Sequence, residues 1–145
     1  MSAIDTDTPR TVPFVDDFSI ADPYLRRFHN EADRIQAVIE VPIDLDNPST
    51  LTERLRVLDV YLARLGDMRV RAKTLREVAR NRYMEKNADD LAKMTATVSN
   101  RVISAYLTEY TMTSERLDTM YDTVSKLAKD LVTQISFIKA QMQID

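Results

Sequence analysis

The helix-breaking residues of this chain are confined to one end. All five prolines lie between Pro9 and Pro48, and the only glycine is Gly66. Sheet folds need many turns, and turns depend on Gly, Pro and Asn. A phosphate-binding loop of the P-loop or dinucleotide type needs several glycines to bring the backbone close to the ligand. The sequence therefore predicts an all-α fold and excludes glycine-rich nucleotide-binding enzymes.

Apolar spacing predicts an N-terminal arm followed by a single helical domain, residues 23–142. Residues 1–22 carry Pro9, Pro13, several Asp residues and a short apolar patch, which predicts an extended acidic arm. A first, short helix, about 23–40, has Asp22 as its N-cap and proline at its first position. A second helix, about 48–86, has two overlapping start signals, Asn47-Pro48 and the capping box of residues 50–53.

The remaining segment, about 88–142, carries the most regular heptad of the chain. Eight apolar residues from Leu117 to Met142 step alternately by four and three, which is typical of a bundle or coiled-coil helix. This segment could form one continuous helix or two helices, because a Thr-rich stretch allows a break near 111–114. Helices 48–86 and 88–142 would form a long antiparallel hairpin or coiled coil.

The apolar stripes on both long helices exceed what a two-helix hairpin can bury, so we expect self-association into a homo-oligomer. The residues expected to contact a partner subunit are Phe14, Phe18, Leu117, Tyr121, Val124, Leu131 and Ile138.

Residues that could carry chemistry are few. The chain has no cysteine and one histidine, His29, for which a surface or helix-capping position is the favoured interpretation. The pairs Asp16-Asp17 and Asp89-Asp90 are adjacent in sequence, so their carboxylates point in different directions. We expect no enzymatic activity, cofactor, metal site or small-molecule substrate.

No segment suits a membrane. The longest uncharged run, residues 131–138, is too short to cross a bilayer. The N-terminus is acidic and polar, whereas a signal peptide is basic and then apolar. The sequence predicts a cytoplasmic protein without a membrane partner.

Charge is distributed unevenly along the chain. Residues 1–50 carry four basic and ten acidic side chains, whereas residues 64–86 carry eight basic and three acidic ones. Two interpretations of the basic stretch stay open: its cations pair with acids such as Asp118 and Asp122 on a packed helix, or they contact phosphates while Tyr83 stacks on a base. The candidate nucleic-acid-binding residues are Arg69, Lys73, Arg76, Arg80, Arg82 and Tyr83.

The order of these features resembles small all-helical phage proteins encoded beside recombination and replication genes, including recombination mediators. The resemblance covers about residues 14–142. It rests on the opening FVDDFSI at 14–20, on Tyr61-Leu62 before a basic stretch ending at 81–83, and on TQISFIK at 133–139. It implies an oligomer that binds single-stranded DNA and helps to load a recombination protein. The contacts it implies are Arg76, Arg80 and Arg82.

Three functions follow as hypotheses. The first is a non-enzymatic, phage-type accessory protein that binds single-stranded DNA in recombination or replication, located in the host cytoplasm. The alternative is a structural or assembly protein, such as a virion component, whose N-terminal arm laces neighbouring subunits. A third, less favoured function is an inhibitor that occupies a partner's nucleic-acid groove with its acidic first 50 residues.

Overall fold

The computed structural model of the chain describes residues 22–144, which form five α-helices and no strand. The helices are α1 (Pro23–Ile39), α2 (Pro48–Lys86), α3 (Ala88–Ala92), α4 (Ala96–Tyr106) and α5 (Thr108–Ile144). The all-α prediction is confirmed. The predicted arm, with Phe14 and Phe18, lies outside the described residues except for Asp22.

Short polar side chains set the starts of α1 and α2. The Asp22 carboxylate accepts a hydrogen bond from the Tyr24 amide at 2.8 Å. The Asn47 side chain accepts from the Ser49 and Thr50 amides at 3.0 and 3.2 Å. In both helices proline follows the cap, where its missing N–H costs nothing. Of the two predicted start signals of α2, the structure uses Asn47-Pro48.

The segment 88–142, for which one helix or two with a break near 111–114 stayed open, forms three helices. The interruptions fall at residues 93–95 and at Leu107. Thr95 caps α4 by accepting from the Val98 amide at 3.3 Å. Residues 111–114 lie inside α5, where Thr113 and Ser114 are buried. A buried threonine is tolerated there because its hydroxyl has partners, which are described below.

α2 and α5 run antiparallel. Arg69 pairs with Asp118, and the Gln134 amide donates to the Leu45 carbonyl just before α2 begins, so residue numbers fall along one helix as they rise along the other. α1 lies against both helices. The main core therefore belongs to a three-helix bundle. Its buried residues are Ala32, Ile35, Leu51, Leu58, Leu65, Met68, Ala72, Leu117, Met120, Val124, Ala128 and Leu131.

This packing changes the interpretation of the α5 heptad. Leu117, Val124 and Leu131 are buried by helices of the same chain, at 1%, 0% and 8% exposure. Tyr121 and Ile138 pack against the same core while staying partly exposed. The apolar stripe of α5 was expected to contact a partner subunit. It is instead covered within the same chain, because α1 packs on the face that a two-helix hairpin would leave exposed.

A second, smaller core lies beyond the bundle. Ala79 of α2 packs with Ile103 and Leu107, and Tyr83, Leu91 and Tyr110 lie against them. We call this region the distal end: residues 79–86 of α2 together with residues 88–107, which include α3 and α4. α5 begins at Thr108, so here α4 takes over from α5 as the helix that covers α2.

Gly66 occupies a helical position at which alanine would fit. A Cβ there would lie 3.9 Å from Tyr121 Cε2, an ordinary van der Waals contact. Because glycine loses more backbone entropy than alanine in a helix, Gly66→Ala is expected to raise the free energy of unfolding by about 0.5–1 kcal/mol. Urea unfolding followed by circular dichroism measures this. Ala63→Gly, at an exposed position of the same helix, should lower it by a similar amount; a destabilised Gly66→Ala variant would contradict the expected fit.

Candidate nucleic-acid interface

The basic stretch of α2 divides into a paired part and an unpaired part. In the paired part, Arg64 contacts Glu31 at 2.7 Å and Arg71 contacts Asp67 at 2.8 Å. Arg69 is held twice, by Asp118 at 2.7 Å and by the Tyr121 ring, whose centroid lies 4.3 Å from the guanidinium carbon. Arg69 thus makes the interhelical ion pair that the structural interpretation predicts.

The unpaired part begins one turn later. Lys73, Arg76 and Arg80 are exposed, and none forms an ion pair with any residue in 22–144. Their spacing of three and four residues places them on one face of α2. We call these three residues the basic row. Arg82 is also exposed, but it follows Arg80 by two residues and points to the opposite side of the helix.

The helices that cover α2 beside the basic row carry few acids. Arg101 is the only charged residue of α4, and Glu109 is the only acid in the first two turns of α5. The part of the chain that packs beside the basic row therefore offers little negative charge. On α2 itself Glu77 lies four residues after Lys73 and three before Arg80, but it forms no ion pair with either side chain among the described residues.

A pair of stacked tyrosines lies at the end of the basic row. The rings of Tyr83 and Tyr106 are 4.3 Å apart between centroids, with 27° between their planes. Tyr83 is half-buried, whereas Tyr106 is 50% exposed. The exposed stacking surface therefore belongs to Tyr106, which sequence reasoning missed. No local signal marks it, because its position depends on α4 folding back onto α2.

His29 is not a surface or helix-capping residue; it is 4% exposed and lies between α1 and α5. The Thr113 hydroxyl donates to the Glu109 carbonyl at 2.8 Å, so it accepts from His29 Nε2 at 2.9 Å. The other ring nitrogen, Nδ1, then accepts from Arg116 at 2.9 Å. This pattern fixes the neutral Nε2–H tautomer. One feature of the sequence indicates this burial: His29 lies four residues after Leu25 and three before Ala32, on the apolar face of α1.

Arg116 joins this histidine to a carboxylate. Its Nη2 donates to Asp33 Oδ1 at 2.6 Å, and the two side chains are only 14% and 13% exposed. His29, Asp33, Thr113 and Arg116 therefore form a polar cluster between α1 and α5. The cluster orients α1 on the bundle, because buried charges need fixed partners. It offers a substrate no accessible nucleophile.

Tyr110 links the start of α1 to α5. Its hydroxyl donates to Asp22 Oδ2 at 2.8 Å, while Oδ1 of the same carboxylate caps α1. Burial first, then this hydrogen bond and the carboxylate charge, raises the pKa of Tyr110 to about 12.

The high pKa of Tyr110 predicts a loss of stability in alkali. Between pH 10 and about 12 the folded chain keeps a proton that the unfolded chain releases. Its contribution to stability is thus complete below pH 10 and is lost as the pH rises towards 12. Absorbance at 295 nm should show a late tyrosine phase that Tyr110→Phe removes. Asp22→Asn, which keeps a capping oxygen, should shift the phase to lower pH; an unchanged late phase in Tyr110→Phe would refute the assignment.

No protein-family model matches the chain, and the comparisons with curated proteins and with solved structures found no match. Among residues 22–144, no three His, Cys, Asp or Glu side chains are grouped to hold a metal ion. None of the described helices is long and apolar enough to cross a membrane.

Proposed function

We propose that this chain is a non-enzymatic accessory protein that binds single-stranded DNA through the basic row and Tyr106. The observation that carries the proposal is the contrast along α2. Arg64, Arg69 and Arg71 have acidic partners, whereas Lys73, Arg76 and Arg80 have none among the described residues. The proposal includes a role in DNA recombination or replication, and the sequence resemblance supports that role.

The geometry of the row suits a short piece of a nucleic-acid backbone. From Lys73 to Arg80 the helix rises about 10 Å, at 1.5 Å per residue. Aligned cations of this kind exchange condensed counterions for direct phosphate contacts. The exposed Tyr106 ring lies beyond the row and offers a stacking face worth about 1–3 kcal/mol per base. Stacking needs an unpaired base, so this ring favours a single strand over a duplex.

Fluorescence anisotropy of a labelled oligo-dT strand tests the proposal. We expect binding at low salt that weakens steadily as salt rises, and weaker binding of a duplex of the same length. Light scattering on the same samples gives the stoichiometry. Absence of binding at low salt would overturn the proposal, and equal affinity for strand and duplex would remove the role of Tyr106.

A structural or assembly function is the second candidate, and the far end of α5 favours it. Val132, Phe137, Met142 and Ile144 are 50%, 56%, 65% and 83% exposed there. Exposed apolar groups of this kind mark interaction surfaces. If they join subunits, Phe137→Ser should lower the molar mass measured by light scattering without DNA. Thr133→Ser, one turn earlier and also exposed, is the matched control; an unchanged mass in Phe137→Ser would count against this surface.

A further inference from the structure

An apolar groove of about 400 Å³ separates the start of α1 from the middle of α2. Tyr24 and Phe28 line one side, and Val70 and Leu75 line the other. Tyr24 is 57% exposed and Val70 is 65% exposed, which is costly for side chains of this size in water. No described residue fills the groove.

The rim of the groove is basic. Arg27 and Arg71 belong to its lining, and no acid does. Arg27 lies over the Tyr24 ring at 5.7 Å, and Arg71 also contacts Asp67 at 2.8 Å. An occupant should therefore combine apolar side chains with negative charge.

We propose that residues 12–20 of the same chain occupy this groove. This segment has the sequence VPFVDDFSI, so Phe14 and Phe18 flank two carboxylates. Residues 1–21 as a whole carry four acids and one base. The apolar and acidic character of the segment thus matches the lining and the rim of the groove.

The length of the chain favours an occupant from the same molecule. Phe18 precedes Asp22 by four residues, which span at most about 14 Å when extended. The groove begins at Tyr24, two residues after Asp22. Phe18 can therefore reach the groove directly. An arm from a second molecule would first have to pay the entropic cost of bringing two molecules together.

The groove and the basic row lie on different sides of α2. At 100° per residue, the groove residues of α2 centre roughly 150° away from the basic row. The inference therefore does not depend on DNA binding, and its failure would leave the proposed function untouched.

Engineered cysteines test the inference in the full-length chain, which has no cysteine of its own. The variant Ser19→Cys/Thr74→Cys places one thiol beside Phe18 and the other in the groove. Under mild oxidation we expect an intramolecular disulfide that forms about tenfold faster than in Ser19→Cys/Glu115→Cys, because docking raises the effective thiol concentration. Glu115 is an exposed residue of α5, one turn before Asp118.

A second pair of variants separates docking from mere proximity. Val70→Asp, added to Ser19→Cys/Thr74→Cys, places a charge in the groove and should slow the disulfide about tenfold. Val60→Asp, at an exposed valine outside the groove, should leave the rate unchanged. Equal rates for the two cysteine pairs, or no effect of Val70→Asp, would overturn the inference. Disulfide-linked dimers in place of monomers would also overturn it, because the arm would then dock on a neighbour.

Discussion

Replacing Arg116 by Met is expected to lower the free energy of unfolding by about 3 kcal/mol, at the lower end of the range for breaking a buried ion pair. The substitution leaves the Asp33 carboxylate, 13% exposed, without its partner at 2.6 Å. It also removes the donor to His29 Nδ1. The loss is large because the remaining groups, which are mostly buried, regain little water.

Urea unfolding followed by circular dichroism measures the effect. Arg56→Met is the matched control, since Arg56 pairs with Glu53 on the surface, where both side chains are more than 60% exposed. That variant should leave the free energy of unfolding almost unchanged, because solvent screens an exposed pair. Asp33→Leu combined with Arg116→Met should cost less than Arg116→Met alone, because no charge is stranded. Equal stability of Arg116→Met and Arg56→Met would show that the cluster does not hold α1.

Removing the basic row is expected to abolish most DNA binding. In Lys73→Ala/Arg76→Ala/Arg80→Ala, the slope of log affinity against log salt should fall by about 2, since each lost phosphate contact on a single strand removes about 0.7. Affinity at low salt should drop by more than about tenfold. The fold should survive because all three side chains are exposed and make no ion pair with a described residue.

The chain offers a closely matched control for this variant. Arg56→Ala/Arg64→Ala/Arg71→Ala removes the same charge from the same helix, at side chains 67%, 57% and 69% exposed. These arginines already have acidic partners, so affinity and slope should change little. If both triple variants lose binding equally, net charge alone governs the interaction. Tyr106→Ala should lower single-strand affinity with no change in salt slope, since stacking releases no counterions.

Local chemistry made much of the fold predictable. Asp22-Pro23 and Asn47-Pro48 each combine a capping side chain with a proline suited to the first helical turn, and both helices begin there. The break at Leu107 was not predictable in this way, because no proline or glycine marks it. The Thr-rich stretch stays helical, and its Thr113 is hydrogen-bonded to His29, 84 residues away in sequence, a contact that no local pattern reveals.

The candidate site shows the same division. The Arg69–Asp118 ion pair could be predicted because each residue follows an apolar seam position by one. The sequence could not show where such pairing stops along α2, since that depends on where α4 ends and α5 begins. It also could not place Tyr106, whose partner Tyr83 lies on another helix.

Because its core is small, the distal end should unfold locally before the three-helix bundle does. Only Ala79, Ile103 and Leu107 are buried there, against twelve residues in the bundle. Amide hydrogens of α3 and α4 should therefore exchange with solvent through local openings that leave α1 and α5 folded. The basic row runs from the bundle into this less stable region, and Tyr106 lies wholly within it. A bound strand would bridge the two regions, and the first sign of binding would be slower exchange in α4.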